Sequence, residues 1–309
     1  MLKQSTSCVV MVRPDHFGFN TQTAATNPYQ HSPESIHKQA REIQKAAMQE
    51  FNNMVLLLRT KGVSVLELPS PSEITPDAIF PNNWFSHHSG GTLVYYPMLV
   101  PNRRLERQTD KLETRLKQSD IPMTHMIDLR NDEENGNILE STGSMVFDRI
   151  NKVAFAMMSP RTTQKEFEKV CNLLHYESVY LPTPRKHRQE VYHTNLLMSI
   201  GSEFAIVCSE VLEDAKEQKM LMHKLSSLGK TIIEISLEQV YSYCGNILEV
   251  QNSQGEKFIT LSKTAYNAFT RNQRKKLEQF AKLLVFSIPT IEEIGGGGVR
   301  CMLAEVFIE

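Results

Sequence analysis

Three side chains of this sequence could work together in nucleophilic catalysis: Cys301, His193 and Glu140. Cysteine is a strong nucleophile as the thiolate, and a nearby imidazolium or a group of backbone N–H donors lowers the thiol pKa. The run Gly295–Gly298 directly before Val299 and Cys301 could let backbone N–H groups gather around a developing oxyanion. A histidine can pass a proton to a leaving amine, and a carboxylate can fix the imidazole tautomer. These types predict a nucleophile, an acid–base group and an orienting group.

A repeated order of secondary structure explains how residues so far apart could meet. The segment GNILE occurs at Gly136 and again at Gly245, and each copy precedes a strand, a turn, a second strand, a basic bend and an amphipathic helix. The same order follows Asn82 and His193, and a short strand comes after each helix. Units therefore start near residues 82, 137, 193 and 246, about 53 to 56 residues apart, and one further step reaches Cys301.

The two ends of the sequence supply the parts of a fifth unit. Too few residues follow Cys301 to complete one, and the missing strand and helix are present in SCVVMVRP and in the segment from Ser35. Pairing of a C-terminal strand with the N-terminal strand would close a ring and remove exposed sheet edges. We therefore predict an α/β fold, a five-bladed propeller of ββαβ-like repeats with pseudo-fivefold symmetry, as one domain over residues 1–309. Two unrelated α/β domains are the alternative.

The N-terminal helix and the loop before it complete this prediction. The helix rests on apolar residues spaced by three and four, which are Ile36, Ala40, Ile43, Ala47, Phe51, Val55 and Leu58. The loop over residues 13–33 is longer than a usual connection, and such loops often form lids or binding loops. Asn20 and Asn27 are candidates for substrate contact, and a surface segment without function is the alternative.

Composition and charge argue against several classes of partner. The 309 residues carry a net charge of −1, so no concentrated basic face favours nucleic acid or acidic lipid. No apolar run is long enough to span a membrane, and the N-terminus does not resemble a signal peptide. Five cysteines at scattered positions predict free thiols in a reducing cytoplasm, and the lack of CxxC or HxxxH gives a metal site little support. Whether the protein forms a homodimer stays open.

Each catalytic candidate has a structural alternative. Cys301 could be a small buried hydrophobic residue, since free cysteine is often buried. Glu249 occupies the same position in its repeat as Glu140, so one of the two carboxylates could simply cap a strand. One of the adjacent His87 and His88 could line the cavity, because neighbours on a strand point to opposite faces.

Four motifs of the sequence resemble the pentein superfamily: GGGGVRCM, LES before a strand, YHTN at a strand start, and DAIFPNNWF. That superfamily includes arginine deiminases, dimethylarginine dimethylaminohydrolases and amidinotransferases. The pattern is most similar to bacterial amidinotransferase-like proteins of the citrulline-utilisation hydrolase type. The resemblance implies a five-bladed α/β propeller, with Cys301 as nucleophile, His193 as acid–base group and Glu140 as its carboxylate partner. It also implies catalysis without a metal or an organic cofactor.

Departures from the superfamily pattern bear on the substrate. Its deiminases usually hold a guanidinium with two aspartates, and Asn83 and Asn195 stand at those positions, whereas Asp77 keeps a carboxylate. A guanidinium offers donors only, while an Asn amide offers both a donor and an acceptor, which suits a neutral ureido group. The alternative is that both asparagines bind backbone in turns. The usual EGGD is also altered, to ESTGS, which leaves the orientation of Glu140 open.

The α-carboxylate of an amino-acid substrate needs a basic partner. Arg161 in MSPRTT resembles the superfamily arginine that has this role. However, Arg103, Arg104 and Arg271 occupy similar bends of other units, so a structural role for Arg161 is the alternative.

The sequence therefore predicts a cysteine-dependent hydrolase of a small ureido or guanidino amino acid. It would cleave a C–N bond at the ureido or guanidino carbon of an arginine-derived amino acid, with citrulline or a derivative favoured. The predicted substrate-binding residues are Asp77, Asn83, Asn195, Arg161 and Asn20. An arginine deiminase or an amidinotransferase is one alternative, and a non-catalytic pentein binding module is another. A binding module would have no reason to keep Cys301, His193 and Glu140 together.

Overall fold

Short sheets and helices alternate along the chain, which gives an α/β fold. The computed structural model describes residues 2–35, 39–183 and 191–308, and fifteen strands within these residues form five three-stranded sheets. The strands are β1 (Cys8–Val12), β2 (Ser64–Leu68), β3 (Phe85–His88), β4 (Thr92–Tyr95), β5 (His125–Asp128), β6 (Met145–Asp148), β7 (Val153–Met157), β8 (Glu177–Leu181), β9 (Met198–Ile200), β10 (Phe204–Val207), β11 (Thr231–Glu234), β12 (Leu248–Gln251), β13 (Lys257–Ser262), β14 (Lys282–Phe286) and β15 (Ala304–Val306). The helices are α1 (Ala40–Thr60), α2 (Pro101–Arg104), α3 (Thr109–Gln118), α4 (Ser141–Ser144), α5 (Gln164–Leu174), α6 (Thr194–Leu197), α7 (Ala215–Ser227), α8 (Leu237–Tyr241), α9 (Lys263–Ala268) and α10 (Arg271–Leu277).

All five sheets share one plan. In each sheet the central strand pairs antiparallel with one neighbour and parallel with the other. The sheets, with the antiparallel partner first, are β15-β1-β2, β3-β4-β5, β6-β7-β8, β9-β10-β11 and β12-β13-β14. The parallel partner always follows a helix, because two parallel strands need a long crossover connection. This is the predicted order of strand, strand, helix and strand.

The first and last described strands belong to the same sheet. β15 pairs antiparallel with β1, with Cys8 opposite Val306 and Val10 opposite Ala304, and β1 pairs parallel with β2. One sheet is therefore built from both ends of the sequence.

The two GNILE segments do not have equivalent places in the structure, which corrects the repeat as it was read from the sequence. β12 begins at Leu248, inside the segment that starts at Gly245. β6 begins only at Met145, because the helical turn α4 separates it from the segment that starts at Gly136. Identical residues thus form part of a strand in one unit and precede a helical turn in the other.

Helix α1 buries the predicted apolar stripe against the sheets. Its buried residues are Ile43, Ala47, Phe51, Met54, Val55 and Leu58. The helix begins at Ala40, where the backbone N–H of Gln39 donates to Glu42 Oε2 at 3.3 Å, and Ala40 itself is exposed, outside the predicted stripe. Ile36 lies outside the described residues. Neither α1 nor any other helix of the described residues combines the length and hydrophobicity of a membrane span.

Short helical turns stand directly before the first strands of four sheets, and these turns determine where the site lies. They are residues 81–83 before β3, α4 before β6, α6 before β9, and residues 299–302 before β15. The turn at 81–83 contacts both α4 and the turn at 299–302, and α4 contacts α6. Residues from four distant parts of the sequence therefore meet.

Candidate active site

The predicted catalytic residues lie at these helical turns. Glu140 immediately precedes α4, His193 immediately precedes α6, and Cys301 lies in the turn Val299–Met302. The sequence placed them at strand starts, and the structure places them one turn earlier. The turns contact one another, so the three side chains come from neighbouring backbone segments.

A short hydrogen bond joins His193 to Glu140. Nε2 of His193 lies 2.8 Å from Oε2 of Glu140. A carboxylate can only accept, so Nε2 carries the proton and Nδ1 of a neutral ring is left as an acceptor. The second oxygen, Oε1 of Glu140, accepts from the backbone N–H of Leu99 at 3.2 Å. This contact fixes the tautomer of His193, and the catalytic role of the pair stays a prediction.

The charges around this pair set the proton occupancy of both groups. Burial alone would raise the pKa of Glu140, but Arg161, the hydrogen bond from His193 and Arg103 hold it below its usual value. Burial lowers the pKa of His193 to about 4, and the positive charges of Arg161 and Arg103 act in the same direction, while Glu140 opposes them. The resting pair is an ionised carboxylate and a neutral imidazole.

Two asparagine amides surround the Cys301 sulfur. Nδ2 of Asn246 lies 3.3 Å from Sγ, and Nδ2 of Asn195 lies 3.9 Å from it. The side chain of Cys301 is buried, at 6% exposure, and burial raises its pKa, although the hydrogen bond from Asn246 and the charges of Arg300 and Arg103 favour the thiolate. Asn246 lies at the start of a predicted unit, and no role was predicted for it.

The glycines before Cys301 serve close packing. A side chain on Gly298 would come within 2.6 Å of Asn246 Oδ1, and Gly296 has a φ of +62°, which favours glycine. The backbone N–H of Cys301 donates to the carbonyl of Gly298 at 3.1 Å, and that of Arg300 donates to Asn246 Oδ1 at 3.1 Å. These two N–H groups are thus already bonded, while the gathering of the other N–H groups of this segment around an oxyanion stays a prediction.

The loop over residues 13–33 contacts the site at Asp77. Asn20 Nδ2 donates to Asp77 Oδ2 at 2.8 Å, Thr23 Oγ1 donates to the same oxygen at 3.1 Å, and Gln30 Nε2 lies 3.4 Å from Oδ1. Burial raises the pKa of Asp77, whereas Arg103 and these donors favour the carboxylate. Asn27 also anchors the loop, because its Nδ2 donates to the carbonyls of Gly295 and Gly296. Asp77 and Asn20 therefore bind each other directly.

Arg161 links the same loop to the catalytic carboxylate. One of its terminal nitrogens lies 3.3 Å from Glu140 Oε2, and the other donates to Thr26 Oγ1 at 2.8 Å. Its guanidinium also lies over the ring of Tyr192, 4.6 Å from the ring centroid. The structure thus places Arg161 at the site, beside the residues that the sequence predicted.

Arg103 is a site residue that sequence reasoning set aside. Its side chain is buried, at 2% exposure, and one terminal nitrogen donates to Asn83 Oδ1 at 2.9 Å. The other terminal nitrogen and Nε donate to the two oxygens of Glu106, each at 2.9 Å. Its position in the repeat could have indicated a place in the site, since Arg103 lies at the bend of its unit that corresponds to the bend of Arg161 in the next unit.

Other sequence candidates lie elsewhere. Glu249 is on β12, where it accepts from the backbone N–H of Ser202 at 3.1 Å. On β3, His87 Nε2 lies 2.8 Å from the carbonyl of Pro122, and His88 Nε2 lies 2.7 Å from Ser86 Oγ. Their ring nitrogens are bound to partners outside the catalytic cluster, so neither histidine lines it.

Several buried polar atoms of the cluster lack a hydrogen-bond partner among the described residues. They are Asn83 Nδ2, Asn195 Oδ1, Arg161 Nε and both side-chain atoms of Asn82. Buried polar atoms are rarely left unpaired, so these atoms mark where a polar ligand would bind. Within residues 2–35, 39–183 and 191–308, no group of three or more His, Cys, Asp or Glu side chains is placed to hold a metal ion.

The sequence matches the family of N,N dimethylarginine dimethylhydrolase, eukaryotic, over residues 13–308. The match covers nearly the whole chain, so this protein belongs to that family. It is a pentein, and the predicted resemblance to the pentein superfamily is confirmed. No curated protein matches the sequence.

Solved structures with the same fold include proteins from cyanobacteria and from Pseudomonas aeruginosa. Apo ArgZ, an arginine dihydrolase from the ornithine–ammonia cycle in cyanobacteria, superposes with a TM-score of 0.75 at 16% identity, over 98% of this chain and 41% of that one. The N-terminal domain of ArgZ, as a cysteine-to-serine mutant bound to substrate, gives 0.74 at 14% identity, over 97% and 98% of the two chains. A cysteine-to-serine mutant of DDAH from Pseudomonas aeruginosa, complexed with citrulline, gives 0.65 at 15% identity, over 98% and 99%. This chain spans about two fifths of full-length ArgZ, and at these identities the likeness shows the fold.

Proposed function

We propose that this protein is a cysteine-dependent hydrolase that cleaves a C–N bond at the ureido carbon of citrulline or of a citrulline derivative. The observation that carries the proposal is the orientation of the Asn83 amide. Arg103 can only donate hydrogen bonds, so the oxygen of Asn83 faces Arg103 and its NH2 group is the unpartnered end. A buried donor at this point suits a substrate oxygen.

Asn195 supplies the complementary atom. Its Oδ1 is buried without a partner among the described residues, and its Nδ2 lies 3.9 Å from the sulfur of Cys301. A ureido group has one carbonyl oxygen and one NH2 group, which match a free amide donor and a free amide acceptor. A guanidinium carries N–H donors only, so it would leave the Asn83 donor unpaired, at a cost of roughly 1–3 kcal/mol.

The proposed reaction uses Cys301 and His193 in two steps. Cys301 transfers its proton to Nδ1 of His193 as the sulfur attacks the ureido carbon, and the imidazolium then protonates the departing amine of ornithine. This step breaks the C–N bond and leaves a carbamoyl thioester on the sulfur. In the second step water loses a proton to His193 and attacks the carbonyl, the C–S bond breaks, and the imidazolium returns its proton to the departing sulfur of Cys301. The released carbamate decomposes to ammonia and carbon dioxide, so the products are ornithine, ammonia and carbon dioxide.

In this proposal Arg161 binds the rest of the substrate, whereas Asp77 and Asn20 hold the loop over residues 13–33, the covering loop, in place. Arg161 Nε is a buried donor without a partner among the described residues, so it is available to the α-carboxylate. Asp77 and Asn20 are bound to each other and hold the covering loop closed. Substrate must therefore displace or pass beneath this loop before it reaches Cys301.

Hydrolysis of arginine by the same residues is the second candidate. Asp77 and Glu140 are carboxylates inside the site, and a guanidinium favours carboxylate partners. Solved proteins of the same fold are described as arginine dihydrolases or are bound to arginine or citrulline. Transfer of the amidino group to an acceptor amine, and a non-catalytic binding role, are further outcomes of the test.

We also propose that the five sheets stand around a common axis as one domain over residues 1–309. Contacts between neighbouring sheets support this, because they form a closed cycle. β15 contacts β3, β3 contacts α4, β6 contacts β9, β9 contacts β12, and β13 contacts the turn at 299–302 before β15. The five cysteines are free thiols, which agrees with the proposed cytoplasmic location.

The test is product release from a panel of substrates. The panel contains citrulline, arginine, agmatine, dimethylarginine and succinylarginine, with ammonia and ornithine as readouts and Cys301→Ala as control. Ornithine from citrulline, lost in Cys301→Ala, supports the proposal. If arginine is turned over and citrulline is not, the thiol mechanism would stand and the ureido argument would be rejected. If no substrate of the panel is turned over and no thiol reacts rapidly with an alkylating reagent, the results would favour a binding module.

A further inference from the structure

The buried side chain of Arg103 is bound on two sides. Nε and one terminal nitrogen make a bidentate pair with Glu106, and the other terminal nitrogen donates to Asn83 Oδ1, all at 2.9 Å. Asp77 and Glu140 lie further away, each with an oxygen 3.9 Å from the guanidinium. Arg103 thus lies between the carboxylate of Glu106 and the amide of Asn83, which faces the site.

Glu106 keeps Arg103 in place and balances its charge. Both side chains are buried, and a bidentate pair between a guanidinium and a carboxylate is among the most directional of side-chain contacts. Burial alone would disfavour the charged guanidinium, but Glu106, Asp77 and Glu140 outweigh it and raise the pKa of Arg103. Arg103 therefore remains a cation that can donate but cannot accept.

The Asn83 amide depends on Arg103 for its orientation. Its oxygen accepts from Arg103, and its nitrogen has no hydrogen-bond partner among the described residues. An amide group can rotate by half a turn with little change in shape, which exchanges its donor and its acceptor. Without Arg103, the substrate itself would determine whether the oxygen or the nitrogen of the Asn83 amide faces it.

We propose that Arg103, braced by Glu106, is a specificity-determining positioning residue for ureido substrates. It acts through Asn83, because it holds the amide nitrogen toward the site and so disfavours a guanidino group, which needs an acceptor there. This inference rests on the proposed function, since it names what selects between citrulline and arginine at the same site.

The test is the ratio of kcat/KM for citrulline to kcat/KM for arginine. Arg103→Met alone would leave Glu106 buried and unpaired, so it is combined with Glu106→Leu, which removes both partners. We expect this ratio to fall at least tenfold in the double variant, because the freed amide can turn its oxygen to a guanidinium. Arg104→Met is the matched control: Arg104 lies on the same turn but bonds the carbonyls of Met98 and Leu99, and the ratio should stay unchanged.

A substitution at Asn83 shows whether the effect passes through the amide. Asn83→Asp replaces the amide by a group that accepts at both oxygens, so it should lower the ratio by itself. Adding the Arg103→Met and Glu106→Leu substitutions to Asn83→Asp should then lower the ratio by much less than the same two substitutions lower it in the original protein. Equal effects in both backgrounds would overturn the proposal.

A direct contact between Arg103 and the substrate's α-carboxylate predicts a different result. Citrulline and arginine share that carboxylate, so KM would rise by the same factor for both and the ratio would not change. Such an unchanged ratio overturns the inference while the proposed function stands. No turnover of any panel substrate by the original protein would instead reject the proposed function. If the double variant does not fold, the Arg103→Lys variant tests the inference instead. An ammonium cannot hold Glu106 bidentately while it holds Asn83, so the ratio should change. An unchanged ratio in Arg103→Lys counts against the inference.

Discussion

Asn246 Nδ2 lies 3.3 Å from the Sγ of Cys301, and the backbone N–H of Arg300 holds that amide by donating to its oxygen at 3.1 Å. The residue next to the nucleophile therefore orients the donor that faces the nucleophile. This donor favours the thiolate, whereas burial favours the thiol. The reactivity of Cys301 depends on the balance between these two effects.

Replacing Asn246 by Ala should raise the pKa of Cys301 further and slow its alkylation at neutral pH. The hydrogen bond to a charged sulfur is worth roughly 1.5–3 kcal/mol, so we expect the rate at fixed pH to fall by about tenfold or more. The measurement is the pH dependence of iodoacetamide modification, with the exposed Asn172→Ala as control. An unchanged pH profile would show that Asn246 does not stabilise the thiolate.

Cys301 should be the first of the five cysteines to react in the folded protein. Burial raises the pKa of Cys8, Cys171 and Cys244 to about 12 and that of Cys208 to about 11, and none of these four has an amide donor comparable to Asn246 among the described residues. We expect one modified thiol per chain after brief alkylation, located by peptide mass mapping. Cys301→Ser should remove that label. Even labelling of all five thiols would contradict the assignment.

Replacing Gly143 by Ala should disable the site while the protein still folds. A Cβ on Gly143 would lie 2.3 Å from Asn83 Nδ2 and 2.9 Å from His193 Cε1, so both catalytic-site side chains must move. Displacements of about 1 Å commonly cost on the order of 100-fold in rate, whereas overpacking costs about 1–3 kcal/mol in stability. Steady-state kinetics and thermal unfolding check both numbers. The control is Gly18→Ala, since no atom lies within 4 Å of the Cβ added there. Full activity of Gly143→Ala would argue against the proposed geometry.

Weakening the contacts between the covering loop and Asp77 should expose residues 13–33. Asn20→Ala removes the 2.8 Å donor to Asp77 Oδ2, and Thr23→Val removes the second donor at 3.1 Å. We expect limited proteolysis within the loop to accelerate by about tenfold for each lost bond, since each is worth on the order of 1.5 kcal/mol. Thr21→Ala, at an exposed position of the same loop, should leave the cleavage rate unchanged. If substrate fails to protect the loop in the original protein, the loop does not close over the site.

The buried histidines should contribute less to stability as the pH falls from about 6.5 toward 4. Burial lowers the pKa of His193 to about 4, and burial with the charge of Arg149 also lowers the pKa of His88. The unfolded chain takes up these histidine protons near pH 6.5 and the folded chain does not, so the contribution of the histidines to the free energy of unfolding falls with pH across this window, by up to a few kcal/mol. Glu106 and Glu166 contribute in the opposite direction, because burial raises their pKa values to about 8 and about 7.

Urea unfolding at a series of pH values measures this effect. Replacing His88 by Gln should reduce the slope of the free energy of unfolding against pH by up to one proton, whereas Thr21→Ala should not change it. A slope that is the same in His88→Gln and in the original protein would show that His88 does not contribute.

Much of the architecture could be predicted because repetition is visible in the sequence itself. Runs of β-branched and aromatic residues bounded by Gly, Asn and Pro predicted the strands of each unit, and the apolar spacing from Ile43 to Leu58 predicted the buried face of α1. Lengths of the units predicted the pairing of a C-terminal strand with the first one, and β15 does pair with β1. The same repetition misled where identical segments have different neighbours: Glu249 and Glu140 share a position in GNILE, yet a helical turn follows only Glu140.

The sequence by itself determined the kinds of residues that the site contains, namely a thiol, an imidazole, a carboxylate and two asparagines where related deiminases have aspartates. Only the tertiary structure decided which carboxylate meets His193, which amide faces Cys301 and which arginine holds Asn83. The physical reason is that periodicity reports the secondary structure along one segment. The direction of a hydrogen bond between side chains depends on how turns from different units pack against one another.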